Sequence, residues 1–416
     1  MNKPDYGIKH EPPAITAKVP KKYPWLSEDK HCDVCVTGGG LTGAMCAMAA
    51  AEAGLSVTLI TSGGIGFGNT GHLTGCAPFD FSTLTVLDRV MSADDALELY
   101  SEGWNALDSL QNLCGILDAA YRNSGISTGF ERRDSLLFTD DPTELELLER
   151  EYLARSKKIP DCTFLTRQTA HAAFDFPVCG GILTKDGGAV FQPCGLAHLC
   201  LIKAEEAGAE IFEQTEATDI QTPKTDEGCV VIKTSTYRTV YADKLILATG
   251  SQGISAMTDR YKKRTALTSI APLSQDEPGW SGRCLLRTFG KREINCCIPG
   301  DGTVATSTVY AGSGLLTLAR KTGQTSKFRT LREFIQSTLP KGDERKIRCE
   351  YSYDFFATPD GLPVIGRHDH YKNCVFALCS GMSAFICSQI AAKYVVELME
   401  GKTSPVIGLF DPKRAF

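Results

Sequence analysis

The first ordered pattern in the chain is a short apolar run, Cys32 to Thr37, which reads as a β-strand breaking into Gly38-x-Gly40-x-x-Gly43. Small residues from Ala44 to Ala53 predict a helix that stops at Gly54, and Ser56 to Ile60 predicts a second strand. Gly63 to Gly75 is too glycine-rich for a helix or a central strand. Leu97, Tyr100, Trp104, Leu107, Leu110 and Cys114 recur at helical spacing and predict a long helix from Asp94 to Tyr121. Glu131 to Phe138 reads as a strand. Asp141-Pro142-Thr143-Glu144 has the pattern of a helix start, with Leu145, Leu148 and Tyr152 on the buried face. A helix over Leu196 to Ala207 leads to a strand at Glu210 to Glu213. Cys229 to Lys233 and Arg238 to Ala242 suggest a hairpin. Lys244 to Leu247 reads as a buried strand ending in Ala248-Thr249-Gly250. Mixed structure is expected from Ser251 to Cys349. Val375 to Leu378 then feeds a last helix, Ala384 to Glu400, with Ile390, Tyr394, Val395 and Leu398 inward and Gly401 as its stop.

The strand, glycine turn, helix and second strand form a βαβ unit with a dinucleotide fingerprint. Gly38 permits the tight turn, Gly40 lets backbone approach a pyrophosphate, and Gly43 lets the helix pack close to the sheet. The helix N-terminus favours an anion through its free N–H groups and dipole. One element of the fingerprint is missing. An acid is expected about 20 residues on, bonded to the ribose, yet Thr61 and Ser62 stand there. A hydroxyl makes a weaker bond than a carboxylate.

Composition narrows the classes. The net charge of −5 comes with no basic block, which argues against nucleic-acid binding. No run of about 18 apolar residues predicts a membrane span. Met1 to Lys30 is polar and rich in Lys and Pro, and reads as an extended leader on a cytoplasmic protein. The 17 cysteines are expected to be reduced thiols. Cys32-x-x-Cys35 lies on a strand, where this spacing points the side chains to opposite faces and disfavours a metal site.

Four ordered segments together resemble the FAD-dependent oxidoreductases of the D-amino-acid oxidase, glycine oxidase and sarcosine oxidase superfamily. They are the glycine unit, Ile65 to Thr70, Leu247 to Gly250, and Asp360-Gly361-Leu362-Pro363-Val364-Ile365-Gly366. Gly188 to Ile220 also fits. The resemblance implies an α/β fold, with a Rossmann-type FAD-binding domain and a second domain of mixed sheet plus helix for substrate. It implies the FAD-binding domain over 31–90, 185–255 and 350–416, and the substrate domain over 91–184 and 256–349. By position Gly38, Gly40, Leu41, Thr42 and Gly43 would cradle the FAD pyrophosphate, with Thr61 and Ser62 at the adenosine ribose. Gly68, Asn69 and Thr70 would line the phosphates and ribityl chain. Ala217 would offer backbone to adenine, and Ala248, Thr249 and Gly250 would pass close to the dinucleotide. Asp360, Gly361, Gly381, Met382 and Ser383 would reach the ribityl chain and flavin ring. In some relatives a histidine in a Thr-x-His loop is covalently linked to flavin. Thr70-Gly71-His72 has that form, and an ordinary loop histidine is the other reading.

The departures from the family pattern cluster at the chemistry. Where relatives hold the substrate carboxylate with an arginine, Phe355 stands. Arg292 is the candidate replacement charge. Met382 and Phe385 add bulk where glycines are common. Two functions follow. One is an FAD-dependent oxidase or dehydrogenase that acts on a C–N bond of a small amine or amino acid by hydride transfer to flavin, with oxygen or an electron-acceptor partner reoxidising the cofactor. The other is a flavin-fold protein that has lost catalysis and serves as a binding or partner subunit.

Overall fold

The computed structural model describes residues 21–225, 227–250, 262–273, 284–290, 293–299, 302–310, 317–338, 347–381 and 383–414. Two sheets organise them. In the first, β1 (Lys30–Thr37) lies between β2 (Val57–Ile60) and β10 (Thr239–Leu247), all parallel. β7 (Glu210–Phe212) extends the sheet beyond β2, and β17 (Cys374–Leu378) extends it beyond β10, both in parallel. β16 (Val364–Arg367) closes one edge antiparallel to β17. The hairpin of β8 (Ala217–Gln221) and β9 (Val230–Thr234) joins through β10. The segments expected at Arg238–Ala242 and Lys244–Leu247 are one continuous strand, because both halves of β10 pair with β1.

The second sheet runs β15 (Cys349–Ala357), β11 (Lys262–Pro272), β14 (Thr303–Tyr310), β13 (Ile294–Cys297), β12 (Cys284–Thr288), β4 (Glu131–Thr139), β6 (Gly180–Val190), β3 (Cys76–Pro78). β5 (Cys162–Thr166) also pairs with β6. Among the described residues only β4 and β12 pair in parallel here; the other pairings are antiparallel. The strand β15 belongs to this sheet, although most of it falls in a segment assigned from sequence to the cofactor-binding domain.

The longer helices pack on both sheets. They are α1 (Leu41–Glu52), α2 (Ala93–Ala120), α3 (Leu145–Arg155), α4 (Pro193–Glu206), α5 (Thr317–Thr338) and α6 (Ala384–Met399). α1 is apolar on nearly every side because it is enclosed by β1, α4 and α6. Its Thr42 hydroxyl meets Ser388 of α6 at 2.7 Å. Val34, Val36, Met45, Leu99, Leu110 and Ile390 share the main core. Residues 21–29 are not a free leader. Tyr23 and Leu26 are buried, and their N–H groups donate to Glu213 Oε2 and Thr215 Oγ1, both at 3.0 Å. Cys35 is buried, and Cys32 packs at the margin of the same cluster rather than on an opposed face. Among the described residues the cysteines are free, and no His, Cys, Asp and Glu cluster has the make-up of a metal site. No helix among them is long and apolar enough to cross a membrane.

Candidate functional site

The turn after β1 depends on two glycines. Gly38 has φ +116°, and a Cβ there would lie 2.3 Å from the Ala248 carbonyl oxygen. A Cβ on Gly43 would lie 1.9 Å from the carbonyl oxygen of Gly38. Both are backbone clashes that no rotamer relieves, so the end of β10 and the first turn of α1 can close on this loop only around glycine. Gly40 is the N-cap of α1, and no acidic side chain sits in the first turn. The Leu41 N–H donates to Thr70 Oγ1 at 2.9 Å, and the Ala44 N–H to the Gly40 carbonyl at 3.0 Å. Between them, the N–H groups of Thr42 and Gly43 have no acceptor within the helix.

A cleft of about 380 Å³ opens at this helix end. The structure brings Gly38, Gly40, Leu41, Thr42, Thr61, Ser62, Gly68, Asn69, Thr70, Ala217, Ala248, Thr249 and Gly250 onto its walls, from five separate segments. Gly43 stands behind the wall and acts by packing. Phe67, Glu216 and Cys379 also line the cleft and were not singled out from sequence. Phe67 and Glu216 adjoin picked residues, Gly68 and Ala217, while Cys379 comes from the distant end of β17. Among the described residues no lysine, arginine or histidine lines the cleft, and Glu216 is the one carboxylate.

The donor set suits a dinucleotide phosphate. Asn69 Nδ2 and Thr249 Oγ1 are buried without a hydrogen-bond partner among the described residues. A buried donor left unmade costs free energy, and phosphate oxygens would accept from both. Together with the α1 N-terminus they offer an anion dipoles and N–H groups rather than a cation. A Cβ on Gly68 or Gly250 would meet no atom within 4 Å, so the cleft has room over both.

The short 3₁₀ turn Asn69–His72 leads from this cleft to a second, smaller cavity. His72, Tyr353, Thr268, Ser307, Phe191 and Phe385 are among its lining residues. His72 Nδ1 lies 3.0 Å from the Gly68 carbonyl oxygen. A carbonyl only accepts, so Nδ1 carries the proton and Nε2 keeps its lone pair. Burial pushes the His72 pKa below its ordinary value, partly offset by this hydrogen bond. The Tyr351 hydroxyl donates to the His72 carbonyl at 3.1 Å.

The remaining residues picked from sequence are placed elsewhere. The Asp360 carboxylate is buried and taken: Arg414 donates from Nε at 2.8 Å and from Nη2 at 3.2 Å, and the Leu362 N–H donates at 3.0 Å. Its side chain is therefore not open to a ligand in this structure. The Gly361 N–H closes a turn onto the Thr358 carbonyl. Gly381 lies against the Phe355 ring, to which a Cβ would come within 3.2 Å. Ser383 is the N-cap of α6, and its hydroxyl lies 3.5 Å from Cys387 Sγ. Met382 and Arg292 lie outside the described residues.

A family model described as FAD dependent oxidoreductase matches residues 33–398. The chain belongs to the DAO family of FAD-dependent oxidoreductases. FAD is its cofactor, and the donors lining the cleft are consistent with that family's ligand. The γ-glutamylputrescine oxidoreductase of Escherichia coli K12 is 23% identical over 387 residues, covering 90% of this chain and 85% of that protein. The glycine oxidase of Geobacillus kaustophilus superposes with a TM-score of 0.75 at 18% identity, over 93% of this chain and all of that one. The L-amino acid deaminase of Proteus vulgaris does so with a TM-score of 0.72 at 16% identity, over 94% and 100%. At these identities the superpositions establish the fold, as the α/β architecture with a second mixed sheet.

Proposed function

We propose that this family member oxidises the C–N bond of a small amine or amino acid, with FAD in the larger cleft and substrate at the smaller cavity. The observation that carries the reading is the Asn69–His72 turn, which puts Asn69 and Thr70 on the first and His72 on the second. FAD, when bound, supplies a two-electron acceptor for the substrate hydride.

The chain's own residues then have separable tasks. The backbone at Gly38 and Gly40, the N–H groups of Thr42 and Gly43, Asn69 Nδ2 and Thr249 Oγ1 would hold the pyrophosphate. Thr61 and Ser62 would face the adenosine ribose, and Ala217 the adenine. Gly361, Gly381 and Ser383 would bound the ring end by backbone and packing, with the Asp360 side chain engaged by Arg414. An amine yields hydride only as its neutral form. His72 Nε2 is a proton acceptor beside the cavity, and its lowered pKa keeps that nitrogen free near neutral pH. The γ-glutamylputrescine oxidoreductase, glycine oxidase and L-amino acid deaminase matches support an amine or amino acid as substrate.

The second reading, a flavin-fold binding subunit, has its own support. The cavity is only about 10 Å³ and is closed by the rings of Phe191 and Phe385. One experiment separates the two. Purified holoprotein is mixed anaerobically with a panel of amines and amino acids, and the flavin absorption band is followed. Bleaching by any member supports the oxidoreductase, and readmitted air then tells oxygen from another electron acceptor. A bound flavin that no amine or amino acid bleaches sinks it in favour of the partner subunit.

A further inference from the structure

We infer that Glu216 supplies the carboxylate for the adenosine ribose of FAD that the end of β2 lacks. The inference rests on the reading that the cleft holds FAD. A dinucleotide fold places an acid at the end of its second strand because two ribose hydroxyls need a strong acceptor there. Here the strand ends in Thr61 and Ser62, which are weaker acceptors. The fold brings a carboxylate to the same spot from the connection between β7 and β8. The Thr215 N–H donates to the Thr61 carbonyl at 2.8 Å, which sets the next residue, Glu216, beside the end of β2.

The Glu216 backbone is clamped on both sides. Its N–H donates to Ser235 Oγ at 3.0 Å, and its carbonyl accepts from the Ser235 N–H at 2.8 Å. Its side chain is exposed, lines the cleft and has no hydrogen-bond or ion-pair partner among the described residues. Among the described residues lining the cleft, no cation competes for it. The phosphate donors Asn69 and Thr249 come from other segments, so the one negative side chain needs no cation to offset it against the pyrophosphate. A carboxylate at this place also repels a 2′-phosphate, so the site selects an unmodified adenosine ribose.

The test is a titration of apoprotein with FAD, read by the change in flavin fluorescence, alongside FAD lacking the 2′-hydroxyl of its adenosine. Wild type is expected to bind FAD about tenfold more tightly than the deoxy analogue, as for a lost charge-assisted hydrogen bond. Glu216→Gln is expected to weaken FAD by about the same factor and the analogue, which keeps its 3′-hydroxyl, by less. Glutamine at an exposed position keeps the fold, which an unshifted melting temperature checks. Equal wild-type affinity for FAD and the analogue overturns the inference, as does Glu216→Gln binding FAD like wild type or weakening both ligands equally. A wild type that takes up no FAD overturns the cleft reading along with it.

Discussion

Phe385 lies flat on Phe191, with ring centroids 3.6 Å apart and planes 20° from parallel. The pair joins the first turn of α6 to the residue that follows β6, and so seals the small cavity. A space of about 10 Å³ admits about one water molecule. Phe385 is only 1% exposed, so its loss carries a packing cost. Phe385→Ala is expected to destabilise the fold by about 3–5 kcal/mol and to widen substrate acceptance toward longer amines. Denaturant unfolding reads the first, and kcat/KM over a series of alkylamines reads the second. A destabilised variant with an unchanged chain-length profile would place the substrate elsewhere.

The cation missing at Phe355 has a neighbour across the ladder. β11 and β15 run antiparallel with Arg264 opposite Phe355, Ala266 opposite Tyr353 and Thr268 opposite Tyr351. Directly opposed residues share a face, so Arg264 lies on the face that lines the small cavity. It is half-buried and has no hydrogen-bond or ion-pair partner among the described residues. By contrast Arg132, Arg155, Arg287, Arg332 and Arg414 are all paired. Arg264→Ala is expected to raise KM about 10- to 100-fold for substrates bearing a carboxylate, the weight of a charge-assisted bond. KM for uncharged amines should stay within about twofold. Equal effects on both substrate types would assign Arg264 to packing.

Local chemistry made the first βαβ unit legible. The spacing of Gly38, Gly40 and Gly43 is local, although the Cβ that Gly38 excludes would meet the carbonyl of distant Ala248, and the helices expected at 94–121 and 384–400 appear as 93–120 and 384–399. The sites carried by long-range register were not legible. Arg264 faces Phe355 through a pairing that spans about 90 residues of chain, and Glu216 reaches Thr61 through a bond across about 150. Tyr23 and Leu26 sit in a polar stretch and are buried because Glu213 and Thr215 accept their N–H groups. Periodicity reports which face of an element is apolar, but not which distant strand will lie beside it.

Arg155 anchors a buried charge cluster that the cleft does not use. It is 1% exposed, donates to Asp80 and Glu151 at 2.6 Å each, and lies over the rings of Phe79 and Tyr100. Arg287 of β12 also pairs with Asp80. Burial pushes the Asp80 carboxyl up, but Arg155 and Arg287 outweigh it and hold it below the usual carboxylate range. Removing one partner leaves an uncompensated buried charge, so Arg155→Met is expected to cost about 3–5 kcal/mol. Arg155→Met combined with Asp80→Asn should cost less than the sum of the single changes. Because the folded-state value of Asp80 is depressed, its contribution is complete above about pH 4 and is lost as pH falls through the folded value. Urea unfolding at pH 7 and pH 3 checks this, and additive single changes would show that the charges are not coupled.

His72 gives the opposite pH signature to an ordinary surface imidazole. Burial lowers its pKa, and the Gly68 carbonyl holds the proton on Nδ1. The unfolded chain takes up a proton near pH 6.5, whereas the folded chain waits for a lower pH. Between the two values the unfolded state binds more protons, so stability is unaffected above about 6.5 and falls as pH drops below it. In the proposed function the unprotonated Nε2 takes the proton of the substrate ammonium. The acidic limb of kcat/KM is therefore expected below the ordinary histidine value. His72→Gln, which keeps a hydrogen-bond donor but cannot take the proton, should lower kcat about 10²- to 10⁴-fold and remove that limb. The same variant decides the mode of cofactor attachment. Flavin that acid precipitation keeps with the wild-type protein and frees from His72→Gln identifies a covalent bond at this histidine. Flavin freed from both leaves Nε2 as a base. An acidic limb that survives in His72→Gln would move the proton acceptor to another residue.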